Sequence, residues 1–569
     1  MVETIPILIM TDIEINRSVK ARPIQEVADQ LGIQVSELIP HGRLKAKISL
    51  DVLERLSAAP LGRYVLVTAI NPTPLGEGKT TTSIGLAMGL SRLGHRTAVT
   101  LRQPSIGPVF GIKGGGTGGG RAQVLPMEEI NLHLTGDAHA VSASHNLLSA
   151  FVDNHLFHGN ELQMDPNRIT WPRTLGVSDR ALRQIVLGEG VVVRSGQFVI
   201  TEASEVMAIL ALASSQADLR QRLGQIVVGF TKDGKPLRAE EFGCAGSMAV
   251  LLREALLPNI VQTLEGTPAF VHTGPFGNIA HGNCSILSDA IALRCADYVI
   301  TEAGFGSDLG AEKFFNIKCR LSGFKPAVGV VVVTLRALKL HGGGGTIKVG
   351  ALLPAGLTGP NQEALARGFA NLEQHIANVK AHGVPVVVAV NAFVDDPVSE
   401  LMWVRERSLE VGALEAAVST HWADGSKGAE ELARSVVRAT RERSTFRHVY
   451  DVAWPIKKKI LTIATQMYGA SAVTFEAEAE RDIELAQQLG LDRLPICMAK
   501  TPLSLSHDPA LKGRPVGFTL PIKEVRILAG AGFLTAVCSG IQLMPGLPKK
   551  PAGERIGIDP GTGEIVGLS

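Results

Sequence analysis

The chain has 569 residues, of which 45% are hydrophobic and 19% are charged. Because this length exceeds what one hydrophobic core supports, we expect about two to four domains. The formal net charge of +2 argues against nucleic acid or a membrane surface as the main partner.

Cysteine usage and the N-terminal segment bear on the cellular compartment. The six cysteines are scattered and form no Cys-x-x-Cys pair, which is typical of reduced, buried thiols in a cytoplasmic protein. The apolar run 5–10 is short and has no basic region before it, unlike a secretory signal. We therefore predict a cytoplasmic protein.

Apolar runs of strand type alternate with helical patterns along the chain. Thr11 and Glu14 fit the capping box of a first helix, and later helical patterns cover 80–93 and 360–382. Runs rich in Val and Ile predict strands buried on both faces of a mainly parallel sheet. These runs are Tyr64–Ile70, Arg96–Leu101, Asp297–Thr301, Val328–Leu335, Pro385–Val390 and Ala416–Thr420.

The segment after the first of these strands has the layout of a phosphate-binding loop. It reads Thr73, Pro74, Leu75, Gly76, Glu77, Gly78, Lys79, Thr80, Thr81. In such a loop backbone N–H groups face the phosphates, the Lys79 ammonium contacts the terminal ones, and the Thr80 hydroxyl ligates Mg²⁺. Thr73 stands where the usual pattern has glycine, so a plain glycine turn between strand and helix is the alternative. The context favours binding of ATP or GTP.

A second glycine-rich segment, 101–120, follows the next strand. Small residues such as Gly114 let a ligand approach the backbone closely, and Arg102 and Lys113 place positive charge beside it. The Arg fork matches carboxylate and phosphate oxygens. Together with Lys79 these residues predict a polyanion site; the alternative is an arginine paired with an acid in a surface loop.

Polar or aromatic residues follow most of the predicted strands. Parallel α/β sheets bind ligands beyond the carboxyl ends of their strands, so we expect these residues to line one crevice. They are Arg102, Thr301, Glu302, Thr334, Arg336, Asn391, Phe393 and Trp422.

The chain resembles the formate–tetrahydrofolate ligase family over nearly its whole length. Matching segments include 73–82, 101–120, 123–137, 259–265, 272–285, 301–320, 336–343, 497–501 and 544–548. The resemblance implies ATP-dependent ligation of formate to tetrahydrofolate through formyl phosphate, giving 10-formyltetrahydrofolate, ADP and phosphate. It further implies a homotetramer whose partners are these small molecules, with no nucleic acid or membrane.

The resemblance also suggests catalytic roles. Formate and the triphosphate repel each other, so Lys79, Mg²⁺ and Arg102 are expected to hold them together. Lys113 and Gly114 are expected at the formyl phosphate. Asp137 is a candidate acceptor for the proton released from N10, and a structural carboxylate that caps a loop is the alternative.

The folate side is expected to use aromatic residues, which are scarce in this chain at 5%. A flat pterin stacks on aromatic faces, so Phe393 and Trp422 are the candidates, with ordinary core aromatics as the alternative. Glu302 and Phe305 lie in a segment that the resemblance places near the folate or the adenine, and we assign them to the folate side.

The predicted fold class is α/β, with three domains around a central crevice. A P-loop NTPase-like, mainly parallel sheet domain is expected over 1–325. A second α/β domain over 326–475 would carry the folate-side residues, and a small α+β domain would cover 476–569.

Some residues depart from the family pattern. Gln103 stands where the resemblance leads us to expect Glu, an acid that we associate with activation by a monovalent cation such as K⁺ or NH₄⁺. A neutral amide cannot balance a cation, so the sequence leaves cation activation open. Arg121 replaces an expected Tyr. Two alternatives therefore stay open: a divergent paralogue that binds nucleotide or folate without catalysis, and a P-loop ligase for another small carboxylate.

His155 and His158 are expected to be structural, and no transition metal is predicted.

Overall fold

The computed structural model describes residues 10–74, 76–111, 115–188, 192–347, 352–538 and 540–568. Helices and strands alternate through most of this chain. The helices are α1 Asp12–Ser18, α2 Ile24–Asp29, α3 Asp51–Arg55, α4 Lys79–Arg92, α5 Ile106–Phe110, α6 Met127–Asn131, α7 Asp137–Phe157, α8 Glu205–Leu212, α9 Gln216–Gly224, α10 Ala245–Leu251, α11 Ile286–Cys295, α12 Cys319–Ser322, α13 Leu335–His341, α14 Ala355–Thr358, α15 Gln362–Ala381, α16 Val398–Glu410, α17 His421–Gly428, α18 Glu430–Ala439, α19 Ile456–Ile463 and α20 Ala477–Gln488.

The strands are β1 Leu38–Pro40, β2 Ala46–Ile48, β3 Arg63–Ala69, β4 Thr97–Leu101, β5 Gly118–Gly119, β6 Ala122–Leu125, β7 Met164–Ile169, β8 Arg173–Leu175, β9 Ile185–Leu187, β10 Arg194–Gly196, β11 Phe198–Ile200, β12 Val227–Thr231, β13 Pro236–Arg238, β14 Asn259–Thr263, β15 Pro268–Val271, β16 Tyr298–Glu302, β17 Val328–Val333, β18 Val386–Asn391, β19 Glu415–Ser419, β20 Ala472–Phe475, β21 Ile496–Ala499, β22 Thr519–Ile522, β23 Glu524–Leu528, β24 Phe533–Val537, β25 Gly557–Ile558 and β26 Ile565–Val566.

One large sheet organises the molecule. Its strand order is β1-β2-β14-β15-β4-β16-β3-β17-β18-β19, with β6 also on β14 and β5 on β6. The seven strands from β15 to β19 in this order run parallel to one another, while β14 is antiparallel to β15. The predicted α/β class with a mainly parallel sheet is confirmed.

The predicted elements agree with the observed ones to within one or two residues. All six predicted strands are present, as β3, β4, β16, β17, β18 and β19. The helical patterns correspond to α4 and α15, and α1 begins with the predicted capping box of Thr11 and Glu14. Long, strongly patterned segments are the most predictable part of a fold because several residues agree on one period.

Helices cover both faces of the sheet, which explains why its strands are apolar on both sides. On one face the strands pack against α4 and α18, through Val65, Val67, Val99, Ile84, Leu86, Leu432 and Val436. On the other face they pack against α11 and α15, through Leu66, Val331, Val388, Ile291 and Ile376. This layering fixes the strand ends rigidly, and the candidate site is built on those ends.

Two further cores lie beside the sheet. Helices α7–α10 share a core with strands β7, β12 and β13. Helices α19 and α20 share another with β20–β24. The six cysteines are all buried and unbonded to one another, in agreement with the prediction of buried thiols.

The strand pairings cross both predicted domain boundaries. β3 and β17 lie on either side of residue 325 and are neighbours in the large sheet. β20 ends at residue 475 and pairs with β22, which lies beyond it. Neither residue 325 nor residue 475 therefore separates two domains, because the strands on either side of each position belong to the same sheet. Within the described ranges, no helix combines the length and apolarity needed to cross a membrane.

Candidate active site

The carboxyl ends of the parallel strands meet at one edge of the sheet. The loop 70–78 follows β3, Arg102 follows β4, and Glu302 ends β16. Thr334 and Arg336 follow β17, Phe393 follows β18, and Trp422 follows β19. The shared edge that the sequence predicts is thus formed, because all of these strands point the same way.

The loop between β3 and α4 is shaped by two glycines and a neighbouring asparagine. Gly76 and Gly78 have φ values of +74° and +75°, which favour glycine. Asn391 Nδ2 donates to the Glu77 carbonyl at 3.2 Å, and a Cβ on Gly78 would lie only 2.5 Å from that nitrogen. The Thr73 N–H donates to the Glu77 carboxylate at 2.6 Å. Leu75 lies outside the described residues.

The loop delivers the chain into the N-terminus of α4. Lys79 is the first residue of this helix and is half-buried. Thr80 Oγ1 donates to Glu302 Oε2 at 2.8 Å, which joins α4 to the end of β16. The helix α4 is 14 residues long. Its N-terminus presents backbone N–H groups and partial positive charge, so this end attracts anions.

Arg102 approaches from the other side of β16. Its Nη1 donates to the Pro275 carbonyl at 3.4 Å, and a Cβ on Gly304 would lie 3.2 Å from its Nη2. Since β4 and β3 flank β16, the strands that lead to Arg102 and to the Lys79 loop are about 10 Å apart. Arg102, Lys79 and the N-terminus of α4 therefore all stand at one edge of the sheet. Lys113 and Gly114 lie outside the described residues.

Buried polar atoms without partners concentrate at this edge. In the part of the chain that the structure describes, they include Thr68 Oγ1, Thr100 Oγ1, Thr301 Oγ1, Thr273 Oγ1, Gln103 Oε1 and Arg102 Nε. Buried polar groups in folded proteins are almost always hydrogen-bonded. Several orphaned groups at the ends of β3, β4, β15 and β16 are therefore typical of a site that receives a polar ligand or water.

Buried histidines brace the helices behind the loop. His421 contacts Ser419 Oγ at 2.8 Å and Thr82 Oγ1 at 3.3 Å, so it ties α4 to β19. Gly85 makes room for its ring, since a Cβ there would lie 2.6 Å from His421 Cβ. Burial lowers the pKa of His421 to about 4. The ring is neutral at physiological pH and acts as a hydrogen-bonding brace.

A polar hub anchors the start of the loop. The Asn71 N–H donates to His375 Nε2 at 3.0 Å, and Asn71 Nδ2 donates to Asp308 Oδ2 at 3.2 Å. Lys500 Nζ donates to the same carboxylate oxygen at 2.6 Å. Lys500 and Asp308 are both fully buried, so a desolvated ion pair joins the C-terminal region to the segment around Asn71.

Asp137 begins α7 and is buried. Its Oδ1 accepts from Lys47 Nζ at 2.8 Å, and its Oδ2 accepts from Asn259 Nδ2 at 2.7 Å. Burial lowers the pKa of Lys47 although Asp137 opposes that effect. Both carboxylate oxygens are engaged within the protein. The geometry favours the structural alternative over the proton acceptor.

The two predicted folate-side aromatics are partly exposed, with 36% of Phe393 and 41% of Trp422 accessible. The Arg336 guanidinium lies 3.9 Å from the centroid of the Phe393 ring. The Trp422 ring lies against the glycine hairpin, where a Cβ on Gly120 would come within 2.8 Å of it. Neither Phe393 nor Trp422 is an ordinary core aromatic, so both rings are candidates for stacking on a pterin.

Glu302 and Phe305 occupy different environments. Glu302 accepts a hydrogen bond from Thr80 Oγ1 at the start of α4. Phe305 has a φ of +62°, which is strained for a bulky residue, and its ring packs on Gly277. Such strain is often found at ligand sites.

The chain is similar to known proteins over nearly its whole length. A family model described as formate--tetrahydrofolate ligase matches residues 10–569. The chain belongs to the formate–tetrahydrofolate ligase family. It is 52% identical over 573 residues to formate--tetrahydrofolate ligase 3 of Rubrobacter xylanophilus, covering 98% of this chain and 100% of that protein. It is 54% identical over 563 residues to the formate--tetrahydrofolate ligase of Saccharopolyspora erythraea, covering 98% and 99%.

A third relative is similar over the same span. The formate--tetrahydrofolate ligase of Roseiflexus sp. strain RS-1 is 53% identical over 564 residues, covering 98% of this chain and 100% of that protein. The family assignment made from the sequence motifs is confirmed.

The sequence did not predict several residues of the site. Asn71 directly follows the first strand, and the rule of strand ends could have found it. Lys500 and Asp308 are 192 residues apart, and no local signal joins them. Glu202, which is buried near Gln103, lies in a segment without a motif.

Proposed function

We propose that the protein is an ATP-dependent ligase that joins formate to tetrahydrofolate through formyl phosphate. The products would be 10-formyltetrahydrofolate, ADP and phosphate. The observation that carries this proposal is the placement of Lys79 and Arg102 on the two sides of β16, at one sheet edge, in a member of this family.

The phosphate loop is the proposed ATP site, and we propose that the fold of this part is P-loop NTPase-like. The segment from Thr73 to Thr81 would surround the phosphates with backbone N–H groups, and Lys79 would contact the terminal phosphoryl group. The N-terminus of α4 adds favourable electrostatic interaction. Leu75 belongs to the proposed loop by sequence.

Arg102 is the proposed formate and formyl phosphate ligand. Formate is an anion and must approach the γ-phosphoryl group against charge repulsion, which a guanidinium relieves through two parallel donors. Phosphoryl transfer forms the bond between a formate oxygen and the γ-phosphorus atom and breaks the bond between that phosphorus atom and the ADP oxygen. Lys113 and Gly114 are proposed beside it from the sequence alone.

Mg²⁺ is the expected companion of ATP. We propose that the Thr80 hydroxyl, an oxygen ligand of the kind that a hard cation prefers, holds it, and that the Glu302 carboxylate, which accepts from that hydroxyl at 2.8 Å, orients the hydroxyl. When bound, Mg²⁺ neutralises charge on the phosphate oxygens. Glu302 thereby moves from the folate side to the nucleotide side in our assignment.

Tetrahydrofolate is proposed to stack on the exposed aromatics at the ends of β18 and β19. Phe393 has Arg336 on its ring, and Trp422 is supported by the glycine hairpin, so both rings are held in place. N10 would attack the formyl carbon and form the carbon–nitrogen bond, and the bond from that carbon to the phosphate oxygen would break, with the released phosphate taking the N10 proton. Phe305, with its strained backbone, is proposed at the rim between nucleotide and folate.

We assign Asp137 a structural role in this scheme, because both of its oxygens accept hydrogen bonds. Assembly as a homotetramer in the cytoplasm remains a proposal supported by the family resemblance. The division into three domains around a central crevice is proposed without its boundaries at residues 325 and 475, because β3 pairs with β17 and β20 with β22 across them.

The deciding experiment incubates the purified chain with formate, MgATP and tetrahydrofolate and measures the methenyl product formed on acidification by its absorbance. The proposal requires formate-dependent ADP release together with this product. ADP release with another small carboxylate but not formate would favour a different ligase. Binding of ATP or folate without turnover would identify a non-catalytic paralogue.

A further inference from the structure

A polar cavity of about 490 Å³ opens at the surface between two walls of the chain. The first wall is built from residues within 180–184 and 197–198. The second wall is built from β23 and the segment 541–544. None of the described residues that line this cavity belongs to the proposed ATP, formate or folate sites, so the proposed reaction does not use it.

Three arginines provide the charge of this cavity. Arg180 and Arg183 begin and end a 3-10 helix in the first wall, and Arg526 lies on β23 in the second wall. No aspartate or glutamate is among the described lining residues. A cavity with guanidinium donors and no carboxylate in its lining attracts anions. Three glutamines add carboxamide groups, and they are Gln184, Gln197 and Gln542.

The two arginines of the first wall are held by neutral groups. Arg180 Nη2 donates to the Leu547 carbonyl, and Arg183 Nε donates to the Met544 carbonyl at 2.9 Å. A guanidinium has several N–H donors in a planar fork, and each of these contacts uses only one of them. A carbonyl carries no net charge, so these bonds orient the guanidinium groups without neutralising them.

Arg526 is paired with a carboxylate on its own strand. Its Nε and Nη2 both donate to Glu524 Oε1, at 3.0 and 2.5 Å, and this contact does not use Nη1. The pair is partly exposed, with 34% of the Arg526 side chain and 26% of the Glu524 side chain accessible. Three guanidinium groups and this one carboxylate leave the cavity with two excess positive charges.

Hydrogen bonds join the two walls, so the cavity is already formed before a ligand binds. The Ile200 N–H donates to the Leu543 carbonyl at 2.8 Å, and the Asp179 N–H donates to Met544 Sδ at 3.3 Å. The Arg183 bond to the Met544 carbonyl is a third link. A preformed site loses little conformational entropy on binding.

Charge and size define the class of ligand. Arginine forks bind carboxylate and phosphate oxygens through paired donors. The guanidinium groups come from two walls, so a ligand that contacts both walls needs more than one anionic group. The volume of the cavity lies in the range of small-molecule sites, which leaves room for such a ligand. The excess positive charge disfavours a metal cation.

We propose that this arginine cavity binds a small molecule that carries two or more phosphate or carboxylate groups. Arg180 and Arg183 would hold the ligand from the first wall, and Arg526 would hold it from the second. The three glutamines would donate to the remaining oxygens. This inference does not depend on the proposed ligase activity, because the cavity shares no residue with the proposed active site.

The first test measures anion binding by isothermal titration calorimetry at about 0.15 M salt. The protein is the full chain with Lys79→Ala and Arg102→Ala, which remove the two cations proposed at the active site. Phosphate, pyrophosphate and citrate are the probes. Pyrophosphate or citrate should bind about tenfold more tightly than phosphate, because a second anionic group reaches the second wall. Tighter binding of pyrophosphate would assign the cavity to phosphate compounds, and tighter binding of citrate to polycarboxylates.

Adding Arg180→Gln and Arg183→Gln to this protein should weaken the binding by about 10- to 100-fold, because two charged donors are lost. The matched control adds Arg367→Gln and Arg434→Gln, which remove the same charge from exposed ion pairs on α15 and α18. This control should stay within about twofold of its parent, since distant surface charges are screened. Binding that survives loss of the cavity arginines would overturn the proposal, and so would affinities for pyrophosphate and citrate no higher than for phosphate.

The second test is crystallographic, uses the wild-type chain and does not depend on the folding of a variant. Crystals soaked in tungstate should show an anomalous peak in contact with the guanidinium groups of the cavity, and saturating pyrophosphate should displace it. The absence of this peak, or a peak that pyrophosphate leaves unchanged, also overturns the proposal. Neither test requires turnover, so a protein that binds the anions and lacks ligase activity would contradict only the proposed function.

Discussion

Thr80 Oγ1 and Glu302 Oε2 lie 2.8 Å apart and connect the N-terminus of α4 to the carboxyl end of β16. The hydroxyl comes from a residue that the sequence predicts as a Mg²⁺ ligand, and the carboxylate from a strand that is 222 residues away. A carboxylate behind a metal-binding hydroxyl orients it and adds negative charge. This contact makes Glu302 testable as part of the nucleotide site.

Glu302→Gln should weaken the response to Mg²⁺ by about 10- to 100-fold, because outer-shell partners of metal sites have effects of this size. The measurement is the rate of ADP release as a function of Mg²⁺ concentration at fixed ATP. Glu363→Gln, at an exposed position on α15, is the control. A Mg²⁺ response equal to wild type in Glu302→Gln would return Glu302 to the folate side.

Arg102→Ala should reduce formate-dependent ADP release by about 10²- to 10³-fold, the usual cost of removing one donor to a developing charge. ATP affinity should remain, because the phosphate loop is intact. Arg96→Ala is a matched control at the opposite end of the same strand, where Arg96 pairs with Asp297 on the surface. Formate-dependent ADP release at the wild-type rate by Arg102→Ala would contradict the assignment of Arg102 to the anion site.

The sequence predicted the sheet, its strand ends and the glycine turn that leads into α4 because each depends on local pattern. Valine-rich runs predict buried strands, and the pattern Gly-x-Gly-Lys-Thr predicts a tight turn before a helix. Contacts such as Lys500 with Asp308 and Glu202 beside Gln103 depend on chain segments brought together only by the fold. The sequence alone leaves two roles open for Asp137, because a carboxylate that caps a loop and a carboxylate that accepts a proton have the same sequence pattern. Only their hydrogen-bond partners distinguish them.

Trp422→Ala should raise the KM for tetrahydrofolate by about tenfold while leaving the KM for ATP nearly unchanged, because aromatic stacking acts on the pterin alone. Steady-state kinetics with each substrate varied in turn measures both. Phe157→Ala, which removes an exposed ring on α7, is the control. Equal losses for folate and ATP would remove Trp422 from the pterin role.

Asp137→Ala should lower the free energy of unfolding by about 3–5 kcal/mol, because it leaves the buried Lys47 ammonium without its partner. Urea unfolding measures this loss, and kcat per folded molecule should stay near wild type. Asp297→Ala removes an exposed ion pair and should cost less than about 1 kcal/mol. A large fall in kcat with little change in stability would instead support Asp137 as the proton acceptor.

Acidification should destabilise the protein between about pH 6.5 and pH 4 through its buried histidines. The pKa of His421 is lowered by burial to about 4, below the value of 6.5 expected after unfolding, so the unfolded chain binds more protons in this window and stability falls with falling pH. Burial also lowers the pKa values of His145, His272, His341 and His375 to about 4.

Three buried carboxyls act in the opposite direction. Burial raises the pKa values of Glu202, Glu205 and Glu312 to about 7, so each favours the folded state more at low pH. The five histidines outnumber them, and the net slope should be a loss of stability on acidification. Urea midpoints at a series of pH values test this. His421→Gln, which retains hydrogen-bonding capacity without titrating, should reduce the slope by about one proton; an unchanged slope would mean that His421 is protonated in the folded protein.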